Sequence, residues 1–81
     1  MERKCFVLKD KKTGKYVVAI GIEWEVLVDD IADATYWYCD DIKDKQKDFE
    51  KDQINLFTKL FKSDLDKDVD LEVVYIVKSV E

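Results

Sequence analysis

The sequence predicts an α+β domain of two layers, a mainly antiparallel sheet of three to four strands with one helix packed on one face. Three observations carry this. Segments rich in β-branched and aromatic residues stand at both ends of the chain, Arg3 to Ile22 and Leu71 to Val80. A polar loop with a single glycine divides the first of them. Only one stretch, Asp41 to Lys62, repeats its apolar residues at the helical period. Eighty-one residues with 47% hydrophobic and 41% charged side chains fit one folded domain, 1–81. A two-lobed enzyme or a double βαβ nucleotide fold does not fit that length.

The first strand is read from Arg3 to Lys9, centred on Cys5, Phe6, Val7 and Leu8. Asp10 to Gly14 is the hairpin loop, where glycine supplies the positive φ a tight turn needs. The second strand runs from Lys15 to Ile22, with a bend or bulge at Gly21 and a continuation through Trp24 to Val28. Asp29 to Asp33 is a connector or short helical turn, and Thr35 to Tyr38 is a compact aromatic strand. In the helix, Ile42, Phe49, Leu56, Phe57 and Leu60 form the apolar stripe, with Gln46 and Gln53 on it and Ile54 and Phe61 widening it. Asp40 or Asp41 is the expected cap, and Lys59 and Lys62 suit the C-terminal end of the dipole. Ser63 to Asp70 is a polar loop before the last strand.

The order of these segments also carries a resemblance. Lys12-Thr13-Gly14-Lys15-Tyr16-Val17 closes a hairpin. Asp30-Ile31-Ala32-Asp33-Ala34-Thr35 leads to an aromatic residue, an acidic cap and an amphipathic helix. Asp70-Leu71-Glu72-Val73-Val74 opens the last strand. Together they resemble small early-region proteins of tailed phages of Gram-positive bacteria. The resemblance implies a protein that binds and inhibits a host protein, defence nucleases included. It carries over no site residue, because the shared positions are structural.

The strands do not alternate cleanly between apolar and polar. Leu71, Val73, Tyr75 and Val77 share one face of the last strand, yet Val74, Ile76 and Val80 lie on the other. Tyr16, Val18, Ile20 and Ile22 oppose Val17 and Ala19, and Cys5 and Val7 oppose Phe6 and Leu8. One helix covers one face. The second is therefore expected to be covered by residues 23–34 folding back, with Trp24 and Leu27 as the lid, or to be an interface. For an interface, Trp24, Trp37, Tyr36 and Tyr38 are the candidate anchors, since aromatics are enriched at binding hot spots.

Little in the chain suggests chemistry. No histidine is present, and Cys5 and Cys39 have no metal-ligand or CxxC spacing. They read as reduced thiols of a cytoplasmic protein. Asp64, Asp66, Asp68 and Asp70 mimic the start of a calcium loop, but the positions that need glycine and glutamate hold Val69 and Tyr75. No nucleophile–base pair or phosphate loop occurs, so the expectation is a non-catalytic protein with no metal and no cofactor. The N-terminus has no apolar signal-peptide core, and no apolar run is long enough for a membrane helix.

Charge is placed unevenly. Residues 29–52 hold nine acids against four bases, a net −5 that equals the charge of the whole chain. Asp29, Asp30, Asp33, Asp40 and Asp41 follow one another with no lysine or arginine between them. Such a surface repels nucleic acid and attracts a basic, nucleic-acid-binding protein. The expected partner-binding residues are Asp29, Asp30, Asp33, Asp40 and Asp41, with Trp24 and Trp37 as anchors. The expected function is a small acidic inhibitor that binds a host or defence protein. The alternative is a homodimer that joins through its second sheet face.

Overall fold

A computed structural model describes residues 1–20 and 24–80. The expected bend at Gly21 lies outside the described residues. The fold is α+β, one antiparallel sheet of five strands packed with one long helix. Strand β1 spans Glu2–Asp10, β2 Tyr16–Ile20, β3 Trp24–Val28, β4 Trp37–Tyr38 and β5 Leu71–Ser79, and helix α1 spans Gln46–Leu65. Trp24–Val28 is a strand of its own, which raises the strand count above the three or four expected.

β1 organises the sheet. Along one edge it pairs with β5 over nine residues, from Glu2↔Ser79 to Asp10↔Leu71. Its other edge is shared: β2 pairs at Lys9↔Tyr16, and β4 pairs at Cys5↔Tyr38 and Phe6↔Trp37. The hairpin arms diverge, and the chain returning from β3 fills the gap. Thr35 holds that insertion, donating its N–H to the Val17 carbonyl while its hydroxyl accepts from the Ala19 N–H. Enclosed on both sides, Cys5, Phe6, Val7 and Leu8 are fully buried.

The hairpin turn needs a left-handed residue, and Gly14 supplies it at φ 75°. Its partner in the turn is Asp10, a fully buried carboxylate. Asp10 accepts from the Thr13 hydroxyl at 2.8 Å and from the Asp70 N–H at 2.9 Å. One side chain thus ties the first turn to the start of β5. Burial alone would raise its pKa, but those donors outweigh burial and hold the carboxyl below its usual range.

The helix begins later than the sequence suggests. Residues Cys39–Asp41 and Lys43–Lys45 are single 3₁₀ turns, and α1 starts at Gln46 with Lys45 at its N-cap and no side-chain cap. Asp40 and Asp41 instead approach Arg3, with Arg3 Nη2 donating to Asp41 at 3.0 Å. At the other end the helix runs past Lys62 to Leu65. Asp66 takes the left-handed conformation at φ 49°, and the N–H groups of Asp66 and Lys67 bond back to Lys62 and Phe61.

Phe57 and Phe61 are the buried residues at the centre of the helix face, packed with Phe6, Leu8, Val17, Cys39 and Leu71. Phe49 and Leu60 are half-buried, and Leu56, expected in the stripe, is 47% exposed. The stripe turns away from Leu56 because Glu50 occupies the buried side. Its carboxylate accepts from the Tyr75 hydroxyl at 2.6 Å and from Gln46 at 2.8 Å, with Lys47 beside it. Phe61→Ala is expected to cost about 3–5 kcal/mol, as for other enclosed phenylalanines. Leu56→Ala should cost under about 1 kcal/mol, because its site is largely solvated. Urea unfolding of the two variants checks this, and equal costs would place the core axis back through Leu56.

Candidate protein-binding surface

Strand register assigns each side chain to a face. Phe6, Leu8, Val73 and Tyr75 face α1, joined by Val17, Ala19 and Leu27. The opposite face is closed over β1, where Cys5 and Val7 are fully buried, and open to either side, where Val18, Val26, Val28, Val74 and Ile76 keep partial exposure. Leu27 therefore belongs to the helix side, and Trp24 is 68% exposed. The lid expected from these two residues is not formed, because residues 24–28 lie within the sheet as its edge strand.

Basic and aromatic side chains gather at the Arg3 end of this face, across β5, β1 and β4. Arg3 and Lys78 are cross-strand partners. The Arg3 guanidinium sits 3.6 Å from the Tyr38 ring centroid, and the Lys78 ammonium 4.0 Å from that of Tyr36. The two tyrosine rings meet edge-on at 5.4 Å. Arg3 also holds Asp40 and Asp41, so those acids are partly neutralised.

The structure divides the acidic residues expected to act together. Asp29, Asp30 and Asp33 lie at the hairpin end, beyond Val28. Asp29 reaches Lys15 at 3.8 Å, and Asp30 accepts from the Ala32 N–H at 2.9 Å, capping a 3₁₀ turn. Asp40 and Asp41 lie beside Arg3, near the other end of β1. From residue 3 to residue 10 a strand advances about 23 Å. Asp41 instead joins Asp48 and Asp52 around an open groove of about 340 Å³ floored by Ile42 and Phe49.

The two tryptophans have different surroundings. Trp37 stacks on Phe6 at 5.0 Å and meets Phe49 and Phe57 edge-on. Trp24 projects from the end of β3. Beside it, Trp24, Glu25, Asp64 and Leu65 line a hollow of about 170 Å³. Glu25 itself is buried, and its Oε1 has no hydrogen-bond partner among the described residues. Sequence reading passed over Val26, Val28 and Glu25. The period-2 alternation of Trp24-Glu25-Val26-Leu27-Val28 was the available signal, obscured because both faces carry apolar residues.

Among the described residues no group of three or more Cys, Asp or Glu side chains is placed to hold a metal ion. No helix among them is long and apolar enough to cross a membrane. Both cysteines are buried free thiols, with burial pushing their pKa values up. Comparison with family models, curated proteins and solved structures finds no match to this chain.

Burial, with the Asp64 carboxylate beside it, pushes the Glu25 carboxyl above its usual range. A carboxyl raised in the folded state favours folding at low pH. That contribution is complete below the unfolded value of about 4.3 and is lost as pH rises through the folded value. Glu25→Gln should therefore raise Tm at neutral pH and change it little near about pH 3.5. Thermal melts at both pH values check this. A fall in Tm at neutral pH would show that the charged form is stabilised where it lies.

Proposed function

We propose that this chain is a non-catalytic protein-binding module that docks through the β3–β2 half of its open sheet face. What supports the reading is one juxtaposition. An exposed Trp24 and the partly exposed Val26 and Val28 line edge strand β3, and Asp29, Asp30 and Asp33 follow directly at its end. Apolar area with an exposed aromatic supplies affinity, and a charged rim supplies steering. The partner is a protein whose contact surface is apolar with a basic border. An inhibitor of a host or defence protein that handles nucleic acid is the finer reading. It draws on the phage-type resemblance and on the net charge of −5. Trp37, Asp40 and Asp41 stand outside this surface, the first in the core and the others beside Arg3. A face-to-face homodimer is less well supported, because among the described residues β1 and β5 present Arg3, Lys9 and Lys78 on that face against the single acid Glu72.

A photo-crosslinking residue at position 24 would capture the partner from the cell in which the protein is made. Binding of the purified pair is then measured with two variants of equal charge change. Asp29→Lys/Asp30→Asn/Asp33→Lys should weaken binding about tenfold at low salt, mainly through the on-rate, and the difference should shrink as salt screens the rim. Asp44→Lys/Asp48→Asn/Asp52→Lys, which alters α1 and the 3₁₀ turn before it instead, should change binding little. Equal affinity of both variants and the parent would remove the acidic turn from the site.

A further inference from the structure

The open edge of β5 is as informative as the open face. β5 pairs with β1 alone, so among the described residues its outer edge has no partner strand. It is nine residues long, in unbroken register, and its centre, Val73-Val74-Tyr75-Ile76-Val77, carries no charge. Natural edge strands are blunted by proline, bulges, brevity or a lysine in the middle. None of these is present in β5.

The backbone parity of this edge is fixed by its ends. The Asp70 carbonyl accepts from Lys11, and the Val80 N–H donates to Met1, so even-numbered residues direct their backbone groups to β1. Leu71, Val73, Tyr75, Val77 and Ser79 therefore direct theirs outward. Tyr75 is the midpoint of the strand. A two-fold axis through Tyr75 pairs the full length of one β5 with another, matching outward groups to outward groups. The same axis sets Glu72 opposite Lys78 on both sides, and Val74 opposite Ile76. It also brings Val73 against Val77, which is 61% exposed in the single chain. Length, hydrogen-bond parity and charge select the same register independently.

We propose that β5 is a homodimer edge, where two copies pair antiparallel about a two-fold axis at Tyr75 to form one continuous ten-stranded sheet. The contact is isologous and closed, so it ends at two copies. It leaves β3 at the two outer edges of the joint sheet, with Trp24 and the Asp29–Asp33 turn free in each copy. The occupant of the edge is thus a second copy of this chain, and the surface proposed for a heterologous partner stays available.

The test combines mass with residue-resolved amide exchange on the full chain. Sedimentation at about 100 µM should give about 19 kDa, twice the 9.6 kDa of one chain. In that dimer the Val73, Tyr75 and Val77 amides should exchange slowly, although they face away from β1. Lys78→Glu sets acid opposite Glu72 and should weaken self-association about tenfold, and Glu72→Lys should do the same. Mixing the two variants restores opposite charges at both contacts and should recover the dimer. A monomer at this concentration overturns the proposal. So does a dimer in which those three amides exchange freely, since its contact would lie elsewhere.

Discussion

The structure depends on β1 having both edges paired and both faces enclosed. Four consecutive residues, Cys5 to Leu8, are fully buried. Such a segment satisfies its backbone only if neighbouring strands supply hydrogen bonds on each side. β5 does so along one edge, while β2 and β4 divide the other. That division explains the route of the chain. The hairpin brings β2 to the Lys9 end, β3 returns beside it, and the connector carries Trp37–Tyr38 back to fill the remaining edge. Trp37 then lies on Phe6, and the helix closes over both with Phe49 and Phe57.

Acidic side chains inside this frame divide by whether they are satisfied. Asp10 and Glu50 are buried, yet each accepts several hydrogen bonds and stays ionised below the usual carboxylate range. For Glu50, burial works against the charge, while Tyr75, Gln46 and Lys47 together outweigh it. Both therefore favour folding at neutral pH, a contribution lost as pH falls through their folded pKa values. They are also ties between elements: Asp10 joins the first turn to β5, and Glu50 joins α1 to β5. Glu25 has an orphaned oxygen and faces Asp64 at the opposite end of the sheet. The tension lies beside Trp24, in the strand proposed to meet a partner.

The α+β class, the Gly14 hairpin and the closing strand were legible because each rests on local chemistry. Gly14 was readable as the left-handed turn residue, and the runs around Phe6 and Val74 were readable as strands. The helix axis was not, since Glu50 looks like a solvent residue until Tyr75, distant by 25 positions, supplies its donor. The helix start was misplaced because Asp40 and Asp41 have the chemistry of caps but are drawn to Arg3, a contact spanning 38 residues for Asp41. The acidic stretch 29–41 reads as one surface along the chain. It becomes two because β4 runs between its halves, carrying Asp40 and Asp41 toward the far end of β1. The likeness of Trp24 and Trp37 in sequence hides opposite surroundings, which only long-range pairing decides.

Native-state amide exchange in rising urea tests the central role of β1 most directly. The Cys5, Phe6, Val7 and Leu8 amides should exchange only through global unfolding, with the free energy and urea slope of the whole transition. β3, an edge strand of five residues, should open at lower free energy. Exchange of the β1 amides at lower free energy than those of α1 would contradict the account, because the helix would then persist without the strand that it is held to cover.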